Sequence, residues 1–175
     1  MDETLGDTLD LSGVTDALRV DLTNGYSKTG TVSDGTSTLQ FQDIEHIVLG
    51  SGTDTLVLAD FGGSDTVQGF SAPTDNGDGT FSGNDLLDVT GLTNDDLDKV
   101  NTDDVTVTED SAGNAVLTFP GLVVLTLEGV AAADVASAAQ LNAIGIPLPA
   151  VVSDYVVSGR GGDDLIDAGY TGDPE

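Results

Sequence analysis

The sequence predicts an all-β chain, on three observations. Apolar and polar residues alternate over short runs; Gly, Asp, Asn and Thr cluster between those runs; and helix signals are confined to two places. Period-two alternation bounded by turn residues is the signature of many short strands joined by tight turns.

In chain order, strands are expected within residues 8–13 (TLDLSG), 18–25 (LRVDLTNG), 37–52 (STLQFQDIEHIVLGSG) and 54–60 (DTLVLAD). Residues 104–119 read as two strands around a turn at 110–114, and 122–130 (LVVLTLEGV) as a third, which together predict an antiparallel unit. Residues 93–100 (TNDDLDKV) have a cap residue followed by acids in the first turn, and 131–145 are Ala-rich and end on Gly145; both predict short helices. Residues 74–85 carry Asn76, Asp78, Gly79 and Asp85 near the offsets of a calcium loop, but Thr74 stands at the first-ligand place, so a hairpin tip is predicted. Pro147 and Pro149 mark residues 146–150 as a linker. The expected divisions are residues 1–60, 61–147 and 148–175.

Charge narrows the partners. Four basic residues stand against 31 acids, a formal net charge of −27. Nucleic acid and anionic membranes need clustered Lys or Arg and are excluded. Self-repulsion of this size opposes a compact state unless cations neutralise it. With no cysteine, oxygen ligands are the plentiful kind, and calcium fits them. No apolar run is long enough to span a bilayer, and residues 1–5 carry no basic-then-apolar signal segment.

One pattern carries chemistry. Residues 158–166 (SGRGGDDLI) place Gly159, Gly161, Asp163 and Leu165 at alternate positions. Glycine permits positive φ and lets carbonyl oxygens converge, aspartate supplies an anionic oxygen, and the apolar residue two places on turns inward as a strand begins. The result is a cation-binding turn joined to a core-facing strand. Residues 49–57 (LGSGTDTLV) repeat it with Gly50, Gly52, Asp54 and Leu56; weaker copies are 62–67, with Gly63 and Asp65, and 83–87, with Asp85.

These segments resemble the repeat G-G-x-G-x-D-x-U-x of the RTX family of hemolysin-type calcium-binding proteins. The phrases VDLTNG and FQDIEHIVLGSGTDTL are similar to the stretch that leads into such repeats, and GGSDTVQGF through LTLEGV to the module that closes them. Residues 164–175 resemble a segment found upstream of hedgehog/intein-type autoprocessing domains in secreted bacterial proteins. The resemblance implies a parallel β-roll or β-solenoid with an antiparallel cap, and calcium held by Gly50, Gly52, Asp54, Gly63, Asp65, Asp85, Gly159, Gly161 and Asp163. The roll is expected to be irregular, since Asp54 and Asp65 are 11 residues apart and perfect nine-residue repeats do not run in tandem.

The expected function is that of a noncatalytic, calcium-binding structural module of a secreted, extracellular or cell-surface bacterial protein, adhesin-like or autoprocessed. The rival reading is a filament or matrix subunit that self-associates through strand edges. A glycan-binding module is disfavoured by the absence of Trp and an aromatic content of 5%. His46, the only histidine, neighbours Glu45 in an expected strand, where adjacent side chains point to opposite faces, so the two are not expected to form a catalytic dyad.

Overall fold

Alternating sequences pair wherever a turn lets them, and here they form two main sheets and a small hairpin; the computed structural model describes residues 6–24 and 29–150. The first strands are β1 (Asp7–Asp10), β2 (Arg19–Asn24), β3 (Thr29–Ser33), β4 (Thr38–Gln42), β5 (Ile44–Val48) and β6 (Thr55–Ala59). They are followed by β7 (Gly63–Gln68), β8 (Thr74–Asp75), β9 (Phe81–Ser82), β10 (Leu86–Gly91), β11 (Thr106–Glu109), β12 (Asn114–Phe119) and β13 (Val123–Ala131). A six-stranded sheet runs β1-β5-β7-β13-β12-β11, and a five-stranded sheet β10-β6-β2-β3-β4.

Among the described residues the all-β expectation holds, with one short α-helix, α1 (Ala138–Ala143). Both large sheets are mixed. β1, β5, β7 and β13 are parallel in one, and β2, β6 and β10 in the other, as the chain crosses repeatedly between sheets. The hairpins β2-β3-β4 and β11-β12-β13 are antiparallel, because a tight turn can join only antiparallel neighbours. Strands β5 and β6, before residue 60, pair with β7 and β10, after it. Residues 37–52 divide at Asp43, whose φ of 54° turns the chain from β4 in one sheet to β5 in the other.

Register explains the core. Across the six-stranded sheet Leu9, Ile47, Val67, Leu127 and Ala115 align, and across the other Val32, Val20, Leu56 and Leu87 do so. These aligned residues and their alternate neighbours, such as Leu22, Leu58, Val89, Leu117 and Leu125, point into one hydrophobic cluster shared by both sheets. Truncating Leu56 or Leu87, both fully buried, to Ala would cost about 2–5 kcal/mol.

The two expected helices fare differently. In residues 93–100 the Asn94 side chain accepts the N–H groups of Asp96 and Asp98, and Leu97 turns left-handed, so a closed loop replaces the helix; a 3-10 turn follows at Thr102–Asp104. In the Ala-rich stretch, Ser137 caps α1 by accepting the Gln140 N–H, and Gly145 (φ 100°) follows its end. The end of α1 covers the edge of β10: Leu87 donates its N–H to the Ile144 carbonyl at 2.7 Å.

Candidate metal centre

Three turns stack where the chain enters the parallel strands of the five-stranded sheet. Arg19, Thr55 and Leu86 are in register, so the residues before them, Leu18, Asp54 and Asp85, form a column. The Leu18 N–H donates to Asp54 Oδ1 (2.9 Å), and the Asp54 N–H donates to Asp85 Oδ1 (2.8 Å). Asp85 Oδ2 accepts the Ser71 N–H at 2.7 Å. Each aspartate therefore satisfies a donor of the preceding turn, and the backbone ladder continues through Thr55 N–H to Leu18 C=O and Leu86 N–H to Asp54 C=O.

The glycines follow from the stacking. A β-carbon at Gly50 would collide with the Val14 carbonyl, and one at Gly52 with the Asp16 carbonyl, so only glycine lets one turn lie on the next. Asn84 ties the turns from outside, donating to the Gly52 carbonyl (3.2 Å) and accepting the Thr53 hydroxyl (3.2 Å).

Asp54 and Asp85 are each 1% exposed. Asp85 is satisfied at both oxygens, whereas Asp54 Oδ2 is buried with no protein hydrogen-bond partner. Burial pushes the Asp54 carboxyl above the usual carboxylate range; the Leu18 N–H opposes this and the nearby Asp85 charge adds to it. An orphaned, buried carboxylate oxygen is a place where a proton or a cation lowers the free energy. The donor set is all oxygen, which suits calcium. Among the described residues no three acidic or histidine side chains stand close enough to hold a metal, so an ion here would draw on backbone carbonyls of the stacked turns as well as Asp54.

Of the expected ligands, Gly52, Asp54 and Asp85 come together at this column, and Gly50 lies in the same turn as Gly52 and Asp54, against the Val14 carbonyl. Gly63 and Asp65 do not join it: they lie on β7, opposite Val123 and Leu125, and Asp65 lines a cleft with Leu22, Phe41 and Ile44. Gly159, Gly161 and Asp163 lie outside the described residues. The contributions of Leu18, Ser71 and Asn84 were not anticipated. One signal for Asn84 was present, since Gly83-Asn84-Asp85 repeats Gly52-Thr53-Asp54.

The other candidates resolve simply. Residues 74–82 form the expected hairpin, in which Asp75 and Asp78 accept the N–H groups of Gly77 and Thr80 two residues on. His46 lies beside Thr8 across the sheet (Nδ1 to Oγ1, 3.4 Å) and near Glu128 (3.4 Å), while Glu45 accepts the Asp7 N–H. No helix among the described residues is long and apolar enough to cross a membrane. No protein-family model, curated protein or solved structure matches the chain.

Proposed function

We propose that the chain is a calcium-stabilised structural module of RTX type, a short, irregular parallel roll with antiparallel additions, which supports a larger secreted bacterial protein outside the cell. The observation that carries this reading is Asp54 Oδ2, buried and unpartnered inside a Gly-x-Gly-x-Asp turn that is stacked between two others. Supporting it are the repeated crossing of the chain between two sheets and the parallel pairing of the strands that follow each turn. The formal charge of −27 adds a general reason for a divalent cation to favour the folded state.

Asp54 and the backbone carbonyls around Gly50 and Gly52 would hold the ion, and Asp85 would fix the Asp54 backbone. The bound ion would supply positive charge to a carboxylate that burial otherwise disfavours. A cation that binds only the folded chain stabilises it by about 2.7 kcal/mol at a hundredfold excess over its dissociation constant. Thermal melts in calcium and in chelator, at matched ionic strength, test the proposal. The midpoint should rise with calcium in the natural sequence and should not in Asp54→Asn. Superimposable melts of the natural sequence would overturn the calcium reading.

A further inference from the structure

Among the described residues, three of the four non-glycine positions with positive φ are bulky and apolar, and all three are exposed. They are Phe61 (φ 66°, 48% exposed), Leu97 (φ 66°, 82%) and Leu122 (φ 63°, 76%). A bulky side chain in the left-handed region strains its backbone, and an exposed apolar one forgoes the stabilisation of burial. In the loop between β12 and β13, the left-handed position next to Val123 calls for glycine, yet holds Leu122. Leu97 and Leu122 break both local rules together with little burial in return, and Phe61, which lines a cleft with Leu22, Phe41 and Ile44, breaks the first while half of it stays exposed. That pattern is expected where a residue serves something outside its own fold.

The three loops meet. Phe61 donates its N–H to the Gly121 carbonyl (2.6 Å), and Gly63 to the Leu122 carbonyl (3.2 Å). Asp60, beside Phe61, accepts both the N–H (3.0 Å) and the hydroxyl (2.6 Å) of Thr93. Thr93 in turn bridges to Lys99 and closes the loop that carries Leu97. Gly121 packs so near the Asp60 side chain that a β-carbon would collide with it. Exposed Asp95, Asp96 and Asp98 flank Leu97.

We propose that Phe61, Leu97 and Leu122 are the anchors of a docking surface for a second protein, one that offers an apolar socket rimmed by Lys or Arg. A few anchor residues carry most of the affinity of such contacts, and the surrounding acids match a basic rim and speed encounter. The same acids oppose docking of a second copy, at −27 each, or of an anionic membrane.

The probe is a synthetic amphipathic helical peptide of Leu and Lys, compared with a peptide of equal charge in which every Leu is replaced by Gly. Both are titrated against the full chain, Phe61→Gly, Leu122→Gly and the double variant. Glycine relieves the left-handed strain, so the melting midpoint of each variant should hold or rise by up to about 3 °C. Affinity for the Leu/Lys peptide should nevertheless fall about tenfold or more in the double variant, a loss of about 1.4 kcal/mol. The Leu-free peptide should bind all four chains alike. Equal binding of the Leu/Lys peptide by all four chains would overturn the proposal. So would variants that melt well below the natural chain, which would assign the side chains to the fold. Uptake of the chain by neutral phosphatidylcholine vesicles with no preference for the Leu/Lys peptide would assign the surface to a membrane, and would overturn it too.

Discussion

Two segments of this chain are built from nearly the same residues and do opposite things. Residues 50–54 (GSGTD) and residues 75–79 (DNGDG) both mix Gly with Asp. In the first, Asp54 is buried and accepts a donor 36 residues away, from a neighbouring turn. In the second, Asp75 and Asp78 are exposed and accept donors two residues away, from their own turn. Glycine differs as well: Gly52 is required by a carbonyl pressed against it, whereas Gly77 is required by its own φ of 80°, in open space. Composition therefore marks a turn, and only the partner's distance along the chain says whether the turn is a joint of the fold or an ornament on it.

The sharpest way to break the comparison is to remove one carboxylate from each segment. Asp85→Ala withdraws the acceptor of the buried Asp54 N–H and the half-buried Ser71 N–H, and adds a small cavity. Each orphaned donor costs about 1–3 kcal/mol, so a total of about 3–5 kcal/mol is expected in urea unfolding. Asp78→Ala frees donors that water can reach and should lower the unfolding midpoint far less. A midpoint shared by the two variants would show that Asp85 is no more a joint than Asp78.

Glycine gives the next largest contrast. Gly52→Ala must push the Asp16 carbonyl away from a stacked turn, an overpacking cost of about 2–3 kcal/mol. Gly77→Ala meets nothing in space and carries only the left-handed penalty, about 1 kcal/mol. The order of the two denaturation midpoints decides it. If Gly77→Ala proves the more damaging, the close packing of the turns is not what demands glycine at residue 52.

The same contrast explains what the sequence could disclose. The patterns around Val20 and Leu56 announced strands, because period two is a local property, although β6 buries Leu56, Val57 and Leu58 alike. Asp54 and Asp85 stood out for the same local reason, each following glycine and preceding an apolar run. Their shared column was not readable, since Leu18 and Asp85 lie 36 and 31 residues from Asp54. The antiparallel unit of residues 104–130 was readable, because its turns are local, but its pairing with the parallel strand β7 was not, and neither was the placing of β3 and β4 beside β2. Residues 93–100 misled in the other direction. A cap and a run of acids did mark a helix start, but the Asn94 side chain captured the N–H groups a helix would have used.

The smallest expected effect is also the one that separates the two kinds of aspartate by sign. Burial raises the pKa of Asp54, so in chelator its ionisation opposes folding. The stability tied to its protonated form is present below the unfolded-state value, near 3.8, and is lost as pH rises through the folded-state value. Asp78 and Asp110 are shifted down, mainly by side-chain hydrogen bonds from Thr80 and Asn114, and the stability they contribute is present above the unfolded-state value and lost on acidification. Asp54→Asn keeps an oxygen for the Leu18 N–H and removes the charge. Its stability relative to the natural chain should therefore improve as pH rises from acid toward neutral in chelator. Asp110→Asn should move the opposite way, falling behind the natural chain as pH rises. Calcium should cancel the Asp54→Asn advantage at neutral pH, because the ion rewards the charge that burial penalises. Urea titrations across pH, with and without calcium, read all three trends, and parallel curves for Asp54→Asn and Asp110→Asn would mean that the buried turn and the exposed ones are electrostatically alike.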